Sequence, residues 1–199
     1  GPPGRILLAS DLAPRSDRAL DRAAALAEQW AAELVVLHVM ESSRPDNHET
    51  ARRSVRHRPL DPLQVARQQL RADLGPAADS ASVLIGEGDP VEAILNAVEQ
   101  EACGLIVIGI ARDEPLGRFR LGGIVDRLLR RAEVPLLVVK SRPRPYKHIV
   151  VASDFSDASR HALEAALRLF PDQPLTVFHA HDNPLPGLMT DLRSHLKHL

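Results

Sequence analysis

The chain has 199 residues, too many for one small domain and short of two full α/β domains. Hydrophobic residues make up 44% and charged residues 26%, the balance of a globular chain in water. A formal net charge of −1 argues against a broad nucleic-acid or acidic-membrane surface, because neutralising phosphates needs a clustered basic excess.

Arg5 opens a short apolar run that ends in the polar pair Ser10-Asp11. Leu20, Ala23, Ala24, Ala27 and Trp30 then recur at helical spacing, and 34–40 is a second apolar run. Residues 41–59 are polar and hold an arginine run at 52–58, which reads as a solvated connection. Leu63, Ala66, Leu70 and Leu74 form a helical stripe that stops at "GPAAD". Strands are expected at 83–85, at 105–110, and at 136–140, the last opening at Leu136 and closing at Lys140. Between the third and fourth lies "GDPVEAILNAVEQEA". There Asp89 suits an N-cap, Pro90 the first helical position, and Glu92 the third, from which it can reach back to the cap. Strands alternating with helices imply a parallel sheet with helices on both faces, and ligands at the carboxyl ends of strands where their order reverses.

The pattern then repeats. "ILLASDLAPRSDRALDRAAAL" (6–26) is matched by "IVVASDFSDASRHALEAALRL" (149–169), and "LVVLHVME" (34–41) by "LTVFHAHD" (175–182). Such a long period points to two homologous domains in tandem. The expected division is a complete domain over 1–140, a linker at 141–145, and a partial second copy over 146–199. The single cysteine, Cys103, cannot form an internal disulfide and fits a reducing compartment. No apolar stretch reaches the roughly 18 residues of a membrane span, and no leader is expected. The expected location is therefore the cytoplasm, with neither nucleic acid nor membrane as partner.

Several ligand signatures can be tested directly. A P-loop needs a lysine after its glycines, and the lysines are only Lys140, Lys147 and Lys197. "GEGDPV" (86–91) approaches a dinucleotide-binding turn but carries Val91 at the third glycine position. A receiver-type acidic site lacks all but Asp11. His179, His181, His195 and His198 raise a zinc question, but His179 repeats His38, which has no such neighbours, so structural roles are favoured and no metal site is expected. Cys103, beside an apolar run, reads as a small core residue.

One segment stays specific: "IGIARDEPLGRFRLGG" (108–123), between the fourth strand and a helical pattern. Together with "ILLASD", "RSDRAL", "LHV", "GDPVEAIL", "LIVIG" and "VPLLVV", taken in order, it resembles the universal stress protein family over 5–140 and again over 146–182. The resemblance implies an open five-stranded parallel sheet of Rossmann-like, adenine nucleotide alpha hydrolase-like type, plus a partial second copy. It also implies an adenine-nucleotide site, ATP being the first candidate, with Mg only as a companion of the nucleotide. Family members that bind ATP show Gly-x2-Gly-x9-Gly-Ser/Thr after the fourth strand. Gly109 and Gly122 match the first and third glycines, Arg112 replaces the second, Gly123 replaces the hydroxyl residue, and Ile124 follows. Asp11 and Val39 are placed near the adenosine portion.

The two departures have a definite cost. A non-glycine residue in a left-handed position costs about 1–2 kcal/mol. A lost hydroxyl contact to phosphate costs about 1.5–3 kcal/mol. Arg112 can offset part of this by forking onto phosphate oxygens. Asp11 keeps two readings, helix cap and ligand contact, and Asp154 invites the same pair. The resemblance implies a stress-response protein acting as a nucleotide-dependent binding switch, with at most slow ATP hydrolysis. The alternative is a scaffold or dimerisation module that binds no nucleotide. A PP-loop-like nucleotidyl enzyme is weaker, since "ASDLAPRS" has no glycine. The resemblance further implies that the last strand is an edge for a homodimer or for pairing with the second domain.

Overall fold

Ile6, Leu7 and Leu8 are all buried, as a strand covered on both faces requires. They lie in β1 (Arg5–Ser10) of a computed structural model, which describes residues 1–11, 14–40, 61–75, 79–110, 123–140 and 144–179. The chain divides into two units, Gly1–Pro145 and Tyr146–Leu199.

In the first unit β1 is followed by α1 (Pro14–Trp30), β2 (Glu33–Met40), α2 (Pro62–Leu74) and β3 (Ala81–Glu87). Then come α3 (Pro90–Gln100), β4 (Ile106–Gly109), α4 (Gly123–Arg131) and β5 (Leu136–Val139). The five strands form one parallel sheet in the order β3-β2-β1-β4-β5. Side-chain alternation divides the core between two faces. Leu7, Val35, Leu37 and Ile106 pack with Val91, Ile94 and Ala97 of α3 and Leu128 of α4. Leu8 and Val36 face the other way, lining with Leu20, Leu70 and Leu74 a shallow groove beneath α1 and α2.

The helix ends follow local chemistry. Asp89 caps α3 by accepting from the amides of Val91 and Glu92, both at 3.0 Å, with Pro90 at the start of the helix. Asp61 caps α2 in the same manner through the Leu63 amide at 3.1 Å. Gly88 precedes the α3 cap at φ +94°, a conformation that L side chains rarely adopt. "GEGDPV" is thus a strand-to-helix turn, and Val91 is fully buried in the core. Glu92 does not reach back to the cap. It pairs with Arg131 of α4, while Arg127 grips Asp89 at 2.8 and 3.0 Å. At the amino end of the sheet Arg5 joins Glu33 at 2.8 Å and the Glu101 carbonyl at 3.1 Å.

α1 departs from its expected stripe. Ala19, Ala23, Leu26 and Ala27 are buried, and Arg22 with them. Leu20, Ala24 and Trp30 are only half-buried. In an alanine-rich helix several faces are apolar enough to pack, so the sheet, and not the periodicity, selects one.

The second unit repeats the opening motif: β6 (Ile149–Ala152), α5 (Asp157–Leu169) and β7 (Leu175–Phe178), with β6 and β7 pairing in parallel. Ser156 caps α5 by accepting from the Ser159 amide at 3.2 Å. Tyr146 and Phe170 meet edge to face with centroids 5.1 Å apart. No helix among the described residues is long and apolar enough to cross a membrane.

Candidate functional site

Strand order reverses between β1 and β4: the chain moves from β1 out to β3, then returns to the other side of β1. The carboxyl ends of two adjacent parallel strands, leading to helices on opposite faces, leave a crevice there. The register is Leu7 to Ile106, Leu8 to Val107 and Ala9 to Ile108, so the residues that follow share one edge of the sheet.

Asp11 follows β1 directly and is exposed. The strand end before it is anchored by His38, whose Nδ1 lies 2.9 Å from the Ser10 carbonyl oxygen. A carbonyl only accepts, so Nδ1 carries the proton. Val39, the next residue of β2, pairs with Gly86 of β3 and packs against the α3–α4 core. A Cβ on Gly86 would meet Ala93 Cβ at 3.3 Å and Val39 Cγ2 at 3.7 Å, so a small residue there lets α3 lie close to the sheet.

Gly109 closes β4 opposite Val139. The next residue, Ile110, is fixed at both backbone groups. Its amide donates to the Val139 carbonyl at 3.0 Å, and its carbonyl accepts from Arg18 Nη2 at 3.4 Å. Gly123 is the first residue of α4 and is exposed, as is Ile124 beside it. A side chain on Gly123 would meet nothing within 4 Å, and its φ lies outside the left-handed range. Arg112 and Gly122 lie outside the described residues, as do the arginines of 52–58 and His181, His195 and His198.

α4 is positioned by the ion pairs that tie it to α3. The guanidinium of Arg127 hydrogen-bonds Asp89 and, with the amides of Glu92 and Val91, holds its carboxyl down at about 2. Arg131 likewise lowers Glu92. These exposed pairs set orientation more than stability. The first turn of a helix is the anion-favouring end of its dipole, and its amides have no partner within the helix.

The remaining chemical candidates are quiet. Burial pushes the Cys103 thiol up to about 11, so it stays protonated at neutral pH and is a core side chain. Among the described residues no three His, Cys, Asp or Glu gather as metal ligands do. In the second unit, His179 Nδ1 lies 2.7 Å from the Ser153 carbonyl oxygen, and its ring tilts over Phe155 at 4.4 Å. Asp154 is held down at about 2, chiefly by the Ser156 hydroxyl and amide. Arg18 was part of "RSDRAL" in the sequence but carried no signal of its own. Its position against β4 appears only with the fold.

Comparison with known proteins gives a consistent result. The family model of the Universal stress protein family matches residues 3–140. The chain is 31% identical over 135 residues to a universal stress protein of Thermus aquaticus, covering 68% of this chain and 97% of that protein. It is 27% identical over 149 residues to the universal stress protein YxiE of Bacillus subtilis, covering 68% and 98%. Among solved structures, a universal stress protein from Archaeoglobus fulgidus superposes with a TM-score of 0.68 at 20% identity, over 98% of this chain and 71% of that one. A universal stress protein in complex with cAMP gives a TM-score of 0.51 at 19% identity, over 71% and 100%.

Proposed function

The chain belongs to the universal stress protein family, and from that premise we propose that its first unit binds an adenine nucleotide at the carboxyl ends of β1 and β4. The observation that carries this reading is Gly123. It opens the nine-residue α4 beside the strand-order reversal, with open space around it and no backbone strain. Backbone amides at such a helix start, unobstructed by a side chain, are suited to phosphate oxygens. Gly109 and Ile110 supply the opposite wall, and the exposed Asp11 carboxylate is suited to ribose hydroxyls. Val39 would border the adenosine through the atoms that its packing against the core leaves accessible. In sequence, Arg112, Gly122 and Ile124 complete the set. The cAMP complex of a protein with the same fold supports the ligand class.

The protein then acts as a binding switch in a stress response, with nucleotide occupancy altering what the carboxyl edge presents. A magnesium ion accompanying ATP would ride on the phosphates. The second reading, a scaffold without nucleotide, is favoured by Arg112 in place of a glycine and by the missing hydroxyl at Gly123. Calorimetric titration with ATP and AMP separates the two. Saturable heat from the wild type is expected, lost in Asp11→Ala. Arg112→Ala weakens binding if the arginine replaces the lost contacts and tightens it if the arginine closes the site. No heat at millimolar nucleotide would leave only the scaffold.

Two further proposals rest on the same premise. The second unit is a partial second copy of the domain, supported by the repeated bridge from histidine to strand-end carbonyl, His38 to Ser10 and His179 to Ser153. The β5 edge, with Leu136, Leu137 and Val138 only half-buried, pairs with a second copy of the chain, since an apolar edge left open invites pairing. Light scattering across a concentration series should give a dimer mass. A monomer at every concentration would contradict it.

A further inference from the structure

On the sheet face opposite α3 and α4, the buried Leu8 and Val36 form the floor of the groove between α1 and α2. Leu20, Leu70 and Leu74 complete its apolar lining, around an empty volume of about 270 Å³ that opens to solvent. Ser10, Asp17 and Asp73 line the same groove. An apolar trough with a few polar groups converging on it is the usual form of a small-molecule site.

The two acids of the groove are exposed, and neither makes a hydrogen bond or an ion pair among the described residues. By contrast Asp89, Glu92, Asp126, Asp157 and Glu164 each meet an arginine. Asp17 and Asp73 have no basic residue three or four positions away, the spacing at which helical side chains face each other. Arg18, beside Asp17, turns to the Ile110 carbonyl instead. Asp73 also stands in the last turn of α2, where the helix dipole disfavours a negative charge. Its charge therefore costs the helix stability and finds no compensating partner.

We propose that this groove binds a small aliphatic ammonium ion, its chain against the leucines and Val36 and its cationic head at Asp17 and Asp73. Charge complementarity selects that occupant. No basic residue lines the groove, so a phosphate or a carboxylate would meet only repulsion there. A neutral chain would cover the apolar floor but leave both acids unmet, whereas an alkylammonium ion satisfies the two together. The volume suits a free small molecule and not a folded segment of another protein. The proposal stands apart from the nucleotide reading, which concerns an anion at the start of α4, a helix packed on the other face of the sheet. Asp73 is thus a residue whose structural cost is offset by ligand recognition.

The test follows the methyl NMR signals of the full chain during titration with hexylammonium chloride, hexanol and sodium hexanoate. Hexylammonium should give saturable shifts at Leu20, Val36, Leu70 and Leu74. Hexanol, with the same chain and no charge, should bind about fivefold more weakly, the worth of an exposed ammonium–carboxylate contact. Hexanoate should give no saturable shift. Asp73→Asn should weaken hexylammonium by about threefold and leave hexanol unchanged. It should also melt at or above the wild type, because a negative charge has left the unfavourable end of α2. Asp17→Asn should produce the same loss of selectivity from the other helix. Equal binding of hexylammonium and hexanol by the wild type, or shifts that never saturate, would overturn the proposal. So would an Asp73→Asn variant that melts lower and weakens both ligands alike.

Discussion

Leu7 and Val150 occupy matching places in the repeated pattern, yet Leu7 is 0% exposed and Val150 65% exposed. Leu37 and Phe178 differ in the same direction, 3% against 56%. The local structures agree: each unit opens with a strand, a helix and a parallel strand, and each ties a histidine to a serine carbonyl where its first strand ends, Ser10 as the last residue of β1 and Ser153 as the first after β6. What differs is the cover. In the first unit α3 and α4 lie over Leu7 and Leu37, and β4 pairs with β1. Among the described residues the second unit has no counterpart of α3, β4 or α4. Local sequence dictates the elements, while burial depends on elements more than fifty residues further along the chain.

The largest expected effect sets the matching positions against each other. Leu7→Ala should cost about 2–5 kcal/mol in urea unfolding, because it opens a cavity in a closed core. Val150→Ala should stay within about 0.5 kcal/mol, as exposed changes do. Equal losses would break the comparison. Next, Gly123→Ser restores the hydroxyl that the family pattern carries, into open space. It should tighten ATP by about tenfold, the worth of one hydrogen bond to a charged group, and an unchanged affinity would argue that phosphate does not lie at the start of α4.

A smaller effect tests the shared bridge. His38→Ala should cost about 0.5–1.5 kcal/mol for its hydrogen bond to Ser10, and His179→Ala less, because its bridge is open to water. The smallest is a pH effect at the α3–α4 clamp. Asp89 is held at about 2 against an ordinary 3.8, so its contribution is complete above about pH 4 and fades as pH falls toward 2. Asp89→Asn should therefore melt below the wild type at pH 7 and converge with it near pH 2. A constant gap across that window would assign the effect to something other than the carboxylate charge.

The sequence showed the fold where its signals were local. Apolar runs located the strands, and Asp89-Pro90 located the start of α3 within a residue. β3 extends from Ala81 to Glu87, beyond the 83–85 read from its apolar centre, because Ser82 and Gly86 interrupt the run while their backbones remain in the ladder. The face of α1 was illegible for a related reason, since alanines supply no contrast between registers. Of the residues proposed for the nucleotide site, Asp11, Gly109 and Gly123 rest on motif order in the sequence. Val39 was named there by the family resemblance, and its packing against the α3–α4 core was not readable. The contact of Arg18 with the Ile110 carbonyl was not readable at all, because it crosses ninety-two positions. Glu92 illustrates the converse: a sound local expectation, the reach back to its cap, gave way to Arg131 on another helix.

The central claim is that nucleotide binds where β1 and β4 end. A backbone amide NMR titration with ATP tests it most directly. The account predicts saturable shifts concentrated at Asp11, Gly109, Ile110 and Gly123, with Asp154 and His179 unmoved. Shifts centred on the second unit, or none at millimolar ATP, would contradict it.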